Sequence, residues 1–245
     1  NFTLYTLIFK TMKKYLLILL SISLLGIHAQ SQDKFYTGVS GEMIFSFANI
    51  DNNGVAGSNL VRWTPWFNVQ FFGNYDINNN VGLIFGAAIR NVGFIYDNAP
   101  NLTNTSVNEN DIIKYKFRNY DFGIPVGVKV GVLDKIFLYG GYEIEFPFQY
   151  KQKTFINDVK QDNKISTWFT SRTPAYYNTF FAGVQFPYGL NLKFKWYTSG
   201  FFNENYTEVQ NGFQVQPYQG LKANIWYFSL CFDIFNKGKV VYEEF

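Results

Sequence analysis

The chain has 245 residues, with 21 Lys+Arg against 18 Asp+Glu, a single His, 21% aromatic residues and a mean hydropathy of −0.10. Three of the cations (Lys10, Lys13 and Lys14) precede Ala29 and no acidic residue does. Beyond position 29 the charges therefore balance, and the basic pI is no argument for a nucleic-acid partner. Cys231 is alone, which rules out an internal disulfide and a thiolate metal site.

The first element is a leader. Lys13 and Lys14 follow Met12, an apolar run extends from Tyr15 to Leu20 and resumes from Leu24 to Ile27, and Ile27-His28-Ala29 precedes Gln30. This is the layout of a signal peptide over 12–29, with an apolar core too short for a comfortable transmembrane helix. Residues 1–11 are expected to be an upstream extension. A single anchor helix over Leu4–Ile27 is disfavoured by Lys10, Lys13 and Lys14.

From 30 to 235 the pattern has period two, the mark of strands with unlike faces. A first strand near Phe35–Ala48 sets Phe35, Thr37, Val39, Met43, Phe45 and Phe47 against Ser40, Glu42 and Ser46. A second, near Trp63–Tyr75, sets Phe67, Val69, Phe71 and Tyr75 against Asn68, Gln70 and Asn74. The third, from Val81, opposes Leu83, Phe85 and Ile89 to Gly82, Gly86 and Arg90. In the fourth, near Ile112–Val130, Phe122, Ile124, Val126 and Val128 face away from Asp121, Gly123 and Lys129; a parity slip near Arg118-Asn119 predicts a bulge there. The fifth, near Ile136–Lys151, opposes Leu138, Tyr142, Ile144, Phe146, Phe148 and Tyr150 to Glu143, Glu145, Gln149 and Lys151. A sixth, near Tyr177–Phe186, is less regular because Phe181 falls on its polar face. The seventh opposes Leu190, Leu192, Phe194 and Trp196 to Asn191, Lys193 and Lys195. The eighth, Lys222–Phe235, opposes Trp226, Phe228, Leu230, Phe232 and Ile234 to Tyr227, Ser229, Cys231 and Asp233.

The connections alternate in length. Asp76–Asn80, Gly131–Lys135 and Pro187–Gly189 are short, whereas 49–61, 98–111, 153–175 and 199–221 are long and polar. Short turns at one end and long loops at the other characterise transmembrane barrels. The fold expected is therefore all-β: an eight-stranded antiparallel up-and-down transmembrane β-barrel behind a signal peptide. The apolar, aromatic face looks to lipid, and the polar face looks into the lumen. A secreted lipocalin-like barrel, with the faces exchanged, is the alternative.

Four stretches carry a family resemblance: Arg62-Trp63-Thr64-Pro65-Trp66-Phe67-Asn68-Val69, Ile89-Arg90-Asn91-Val92-Gly93-Phe94, Gly123-Ile124-Pro125-Val126-Gly127 and Tyr139-Gly140-Gly141-Tyr142-Glu143. With them the chain resembles the outer-membrane protein beta-barrel domain family of Gram-negative bacteria, which includes small barrels of the OmpA and OmpX kind. The resemblance implies an outer-membrane location, contact with outer-membrane lipid and insertion by the barrel-assembly machinery. It implies no catalytic residues. Such barrels often end on an aromatic; here Glu243 and Lys239 interrupt the alternation before Phe245, so 236–245 is expected to be a periplasmic tail.

The chemistry is informative by its gaps. His28 lies in the leader, so the barrel has no imidazole base for a Ser/His hydrolase and no His-based metal site. No catalytic, cofactor-binding or metal-binding residue is expected. Asp51-Asn52-Asn53-Gly54 and Asp76-Ile77-Asn78-Asn79-Asn80 look like fragments of calcium loops but lack the downstream Glu, and read as turns. The inward charges Glu42, Arg90, Lys129, Glu143, Glu145, Lys193 and Lys195 are expected to form a lumenal network, because buried charges must be paired. Glu143 and Glu145 share one face and could do acid–base work, but neutralising the cations is the commoner role.

The function expected is structural or surface-interacting, with no open pore, no enzymatic activity and a docking partner at the long loops; a small porin or transporter is the alternative. Asn211-Gly212 is a strong hairpin signal, and its arms Leu190–Gln210 and Phe213–Phe235 are nearly equal, so a two-stranded extension beyond the bilayer is expected there.

Overall fold

The structure is a computed structural model and describes residues 34–102, 108–210 and 212–236. The expected signal peptide over 12–29, residues 1–11 and the expected tail beyond 236 lie outside the described residues. No described helix is long and apolar enough to cross a membrane; the crossing is made by strands.

Among the described residues, eight antiparallel strands close on themselves: β1 (Phe35–Asn52), β2 (Val69–Asp76), β3 (Val81–Asp97), β4 (Ile113–Gly131), β5 (Phe137–Ile156), β6 (Tyr177–Gln185), β7 (Leu190–Tyr197) and β8 (Leu221–Asn236). Each pairs with the next. β8 then returns to β1 in one unbroken register from Thr37↔Asn236 to Asn52↔Leu221. Closure leaves no unpaired edge, which a sheet in hydrocarbon requires because lipid cannot satisfy a backbone N–H or C=O.

Burial follows the sequence parity. In β1, Tyr36, Ser40, Glu42, Ile44, Ser46, Ala48 and Ile50 are buried in the lumen, whereas Phe35 and Phe45 are exposed outside. In β8, Tyr227, Ser229 and Cys231 are buried while Phe228, Phe232 and Ile234 face out. From Tyr120 to Val130 the outward residues of β4 are apolar or aromatic, an 11-residue span. That matches the nine to eleven residues a tilted strand needs to cross hydrocarbon. At its upper end the rings of Phe67, Tyr120, Phe148 and Trp168 stand about 6 Å from one another in sequence around the wall, an interfacial aromatic belt.

The bulge lies on a different strand from the one expected. β4 keeps one parity throughout, with Ile113, Tyr115, Phe117, Asn119, Asp121 and Lys129 all inward. The register shift comes where Tyr120↔Gln149 gives way to Asp121↔Pro147, leaving Phe148 of β5 as the extra residue. Its effect is to exchange the faces of β5 beyond that point. Tyr150, expected outside, is buried at 1% exposure, and Lys151, expected inside, faces out. The apparent slip in β4 is chemical: its upper inward residues are aromatic because they pack against a plug.

The plug corrects the hairpin expectation. Glu208–Gln210 pairs with Phe213–Val215 across the Gly212 turn, but this ribbon is not continuous with β7, which ends at Tyr197, or with β8, which starts at Leu221. The break falls at the Ser199-Gly200 and Pro217–Gly220 segments. The chain between them folds back into the mouth, where Phe201, Phe202 and Tyr218 are 3%, 5% and 1% exposed. Burying three aromatic side chains is worth on the order of 2 kcal/mol each, more than the roughly 1 kcal/mol net of each solvent-exposed ladder bond forgone. Ribbons continuous with the barrel strands form elsewhere. The β1 ladder turns at Asn53-Gly54, both with positive φ, and continues through Val55–Ala56, while β5 turns at Asn157-Asp158 into Val159–Lys160. Much of 49–61 is therefore strand, pairing β1 through Val55–Ala56 and β3 through Ser58–Leu60, after which Arg62–Thr64 returns to β1.

The calcium-like fragments are turns. Asp51 Oδ1 accepts the Gly54 N–H at 2.7 Å, and Asn78 Oδ1 accepts the N–H groups of Asn80 and Val81.

With the short turns periplasmic, an Asp162→Cys variant is expected to react with a membrane-impermeant thiol reagent on intact cells and an Asn78→Cys variant is not, native Cys231 being buried. The reverse labelling pattern would invert the topology.

Candidate functional site

The lumen at mid-height holds charges contributed by four strands, and parity explains why they meet. Glu42 (β1), Arg90 (β3), Glu143 and Glu145 (β5), and Lys193 and Lys195 (β7) all sit on inward positions. Arg90 is the hub. Its Nε donates to Glu42 Oε2 at 3.0 Å, its Nη1 donates to Glu143 and, at 3.2 Å, to Glu145 Oε1, and its Nη2 donates to Gln70 Oε1 at 2.8 Å. Lys195 Nζ bonds Glu143 Oε2 at 2.6 Å and also Glu145; Lys193 Nζ reaches Glu42 Oε1 at 2.8 Å. Three carboxylates and three cations thus neutralise one another, each at most 6% exposed.

Lys129 stands apart. It donates to Asp76 Oδ1 at 2.5 Å and to the Tyr36 hydroxyl at 2.8 Å, one tier toward the short turns. Of the seven charges singled out in the sequence, six share one cluster and Lys129 has its own pair.

Several members escape a reading that looks for charges alone. Ser229 Oγ donates to Glu42 Oε1 at 2.6 Å, the Tyr197 hydroxyl donates to Glu145, and Thr179 Oγ1 binds the Glu143 carbonyl at 2.8 Å. Parity places all three inward, so the face pattern could have found them. Asp121 is also inward, 1% exposed, with no hydrogen-bond partner at Oδ1. Gly123 contributes by having no side chain: a Cβ there would stand 1.9 Å from Glu143 Oε1 and 3.0 Å from Arg90 Nη1.

Above this layer lies the aromatic plug. Phe202 stacks on Tyr218 at 4.4 Å between ring centroids and meets Phe117 edge-on at 4.9 Å, and Phe201 meets Phe94 edge-on at 5.3 Å. The Tyr150 and Tyr218 hydroxyls lie 2.9 Å apart, and the Tyr177 hydroxyl holds the Phe201 carbonyl at 2.8 Å. Arg172 fastens the cover from the neighbouring loop, donating to the Tyr218 hydroxyl at 2.9 Å and to Glu208, with its guanidinium 4.6 Å from the Tyr206 ring. Below the charges a cavity of about 40 Å³, lined by residues such as Ser40, Gln70, Asn74 and Asn191, has room for a few waters.

The sequence profile of the outer membrane protein beta-barrel domain matches residues 17–231. The chain belongs to that family. Its place is the outer membrane, which sets aside the secreted lipocalin-like alternative. No curated protein is found to match the chain. Solved structures similar to it include Ail of Yersinia pestis in complex with the heparin analogue sucrose octasulfate, at 12% identity over 82% of this chain and 99% of that one, with a TM-score of 0.36. Neisserial surface protein A is 11% identical over 82% of this chain and 96% of its own, with a TM-score of 0.38. OprG of Pseudomonas aeruginosa is 8% identical over 84% and 97%, with a TM-score of 0.39.

As in other buried ion clusters, removing one member strands the rest. Arg90→Met is expected to destabilise the refolded barrel by about 3–5 kcal/mol in urea unfolding followed by tryptophan fluorescence. The pairwise change Glu145→Gln with Lys195→Met should cost less than the sum of the two single changes; simple additivity would mean the pair is uncoupled.

Gly123→Ala tests the space. With Glu143 pinned by Arg90 and Lys195, the new methyl cannot be accommodated by a side-chain swing, and a loss of about 1–3 kcal/mol is expected in the same assay.

Proposed function

We propose that this outer-membrane barrel is a structural, surface-interacting protein without an open pore and without enzymatic activity. It presents its long loops to an external partner, requires no cofactor, and enters the membrane through the barrel-assembly machinery. The observation that carries this reading is the double occlusion of the lumen. The Glu42–Arg90–Glu143–Glu145–Lys193–Lys195 layer crosses the bore at mid-height, and Phe201, Phe202 and Tyr218 fill the space above it. An eight-stranded barrel is just wide enough for its own side chains, and here two layers use that width.

A transporter would need a hydrated path. Opening one means displacing a loop whose rings are buried and also parting six mutually paired charges, and each charge left unpaired would cost several kcal/mol.

The rigid parts lie on the outer side. The ribbon of β1 with Val55–Ala56 ends in a tight Asn53-Gly54 turn, the β5 ribbon in Asn157-Asp158, and Arg172 ties the 208–215 ribbon to the loop before β6. These support a docking role better than flexible loops would, because little entropy is lost on binding.

Planar-bilayer recordings of the refolded protein are expected to show no stepwise conductance. Regular single-channel steps from the unmodified protein would replace this reading with the small-porin alternative.

A further inference from the structure

The Phe148 bulge turns Lys151 and Lys153 to the outer face of β5, opposite residues of β4 that already face out. The register sets Arg118↔Lys151 and Lys116↔Lys153. Like charges directly opposite destabilise a sheet, and here two such pairs are adjacent. Arg62, 3% exposed, enters the same cleft; its Nη atoms bond Asn91 at 3.0 and 2.6 Å, while its Nε, like that of Arg118, is buried with no partner. Among the described residues none of these five cations forms an ion pair. Lys116, Lys151 and Lys153 titrate below the ordinary lysine range, through burial first and the neighbouring cations second. An anion is the missing component.

The position says which anion. Arg118 and Lys116 are the next two outward residues above Tyr120 of the aromatic belt, roughly 7 and 13 Å along the strand. That is the headgroup level of the outer leaflet. The cleft, about 290 Å³, opens sideways toward lipid, and its lower lip is Trp66 and Phe67, 73% and 71% exposed. Phe67 is held at φ 64, projecting where an acyl chain would lie. A free anion gains nothing from those rings, whereas a lipid meets both surfaces.

We propose that this cleft binds the phosphorylated headgroup of an outer-leaflet glycolipid. Arg118, whose Nη1 also donates to the Tyr120 hydroxyl at 3.1 Å, turns its guanidinium to phosphate oxygens; Arg62, held by Asn91, adds positive charge from behind, and Lys116, Lys151 and Lys153 supply point charges around them. Trp66 and Phe67 lie along the first acyl segment. The site is on the outer wall and is independent of whether the lumen conducts.

Native mass spectrometry of the full protein in detergent micelles tests this, with three probes: bis-phosphorylated lipid A, the same acylated disaccharide without phosphates, and inorganic phosphate as competitor. The phosphorylated lipid should be retained at least tenfold better than the dephosphorylated one, a comparison that needs no variant. The double variant Lys151→Gln/Lys153→Gln, checked for folding by heat-modifiable gel mobility, should lose that preference. Lys222→Gln, exposed on β8 away from the cleft, should keep it. Equal retention of the two lipids, full retention by the folded double variant, or displacement by millimolar inorganic phosphate would each overturn the proposal.

Discussion

Arg90 is the group on which the interior depends. It is a permanent cation with 1% exposure at the middle of a lipid-embedded barrel, and such a charge persists only where its donors are satisfied. Satisfying it fixes much else. Glu42 must come from β1 and Glu143 from β5, so strands far apart in sequence are held at one height. Glu143 and Glu145, once collected around Arg90, repel each other and need Lys195; Glu42, shared with Arg90, takes Lys193. Gly123 must lack a side chain because the Arg90–Glu143 contact occupies the space a Cβ would enter. A slip of one residue in any of these strands would turn its charge into lipid, so the cluster also acts as a register lock.

The second determinant is one extra residue. Without the bulge at Phe148, the upper half of β5 would send Lys151 and Lys153 into an aromatic cluster and Tyr150 into solvent. With it, Tyr150 meets Tyr218 inside the plug and the lysines join Lys116 and Arg118 outside. Re-aiming side chains is what bulges do. Here the re-aiming serves both sides of the wall: the apolar filling of the bore and the cationic cleft on its exterior follow from the same insertion.

How much of this could be read in the sequence depended on range. Inward and outward faces of β1, β3, β7 and β8 were legible because parity is a local property, and Glu42, Arg90, Lys193 and Lys195 were placed in the lumen on that basis alone. Their height was not legible, because it depends on the stagger between strands. Lys129 shares a face with Asp121 yet sits a tier lower beside Asp76. Read alone, β4 suggests a bulge of its own because its alternation changes chemical character where the plug touches it, and a chemical change in one strand looks like a geometric one; the extra residue is Phe148 of β5. The plug itself was hidden in a loop. Asn211-Gly212 announced a hairpin correctly, but nothing local to Phe201 and Phe202 says that burial in the mouth outweighs extending the ladder.

These layers divide the molecule's roles by position. The small polar cavity lies toward the short turns, the ion layer spans mid-height, and the aromatic plug fills the long-loop end. Each layer resists change for a different reason: paired charges because separating them strands a charge in low dielectric, and packed rings because water would have to enter an apolar space. On the proposed reading two such independent terms occlude the bore, and weakening one leaves the other in place. The outer side carries the ribbons at Asn53-Gly54 and Asn157-Asp158, the Arg172-anchored cover and, among the described residues, a stretch of wall where cations without an ion pair stand together. Selection on loop sequence or on that cleft could therefore proceed without disturbing the interior, because the interior needs none of those residues to satisfy its own charges.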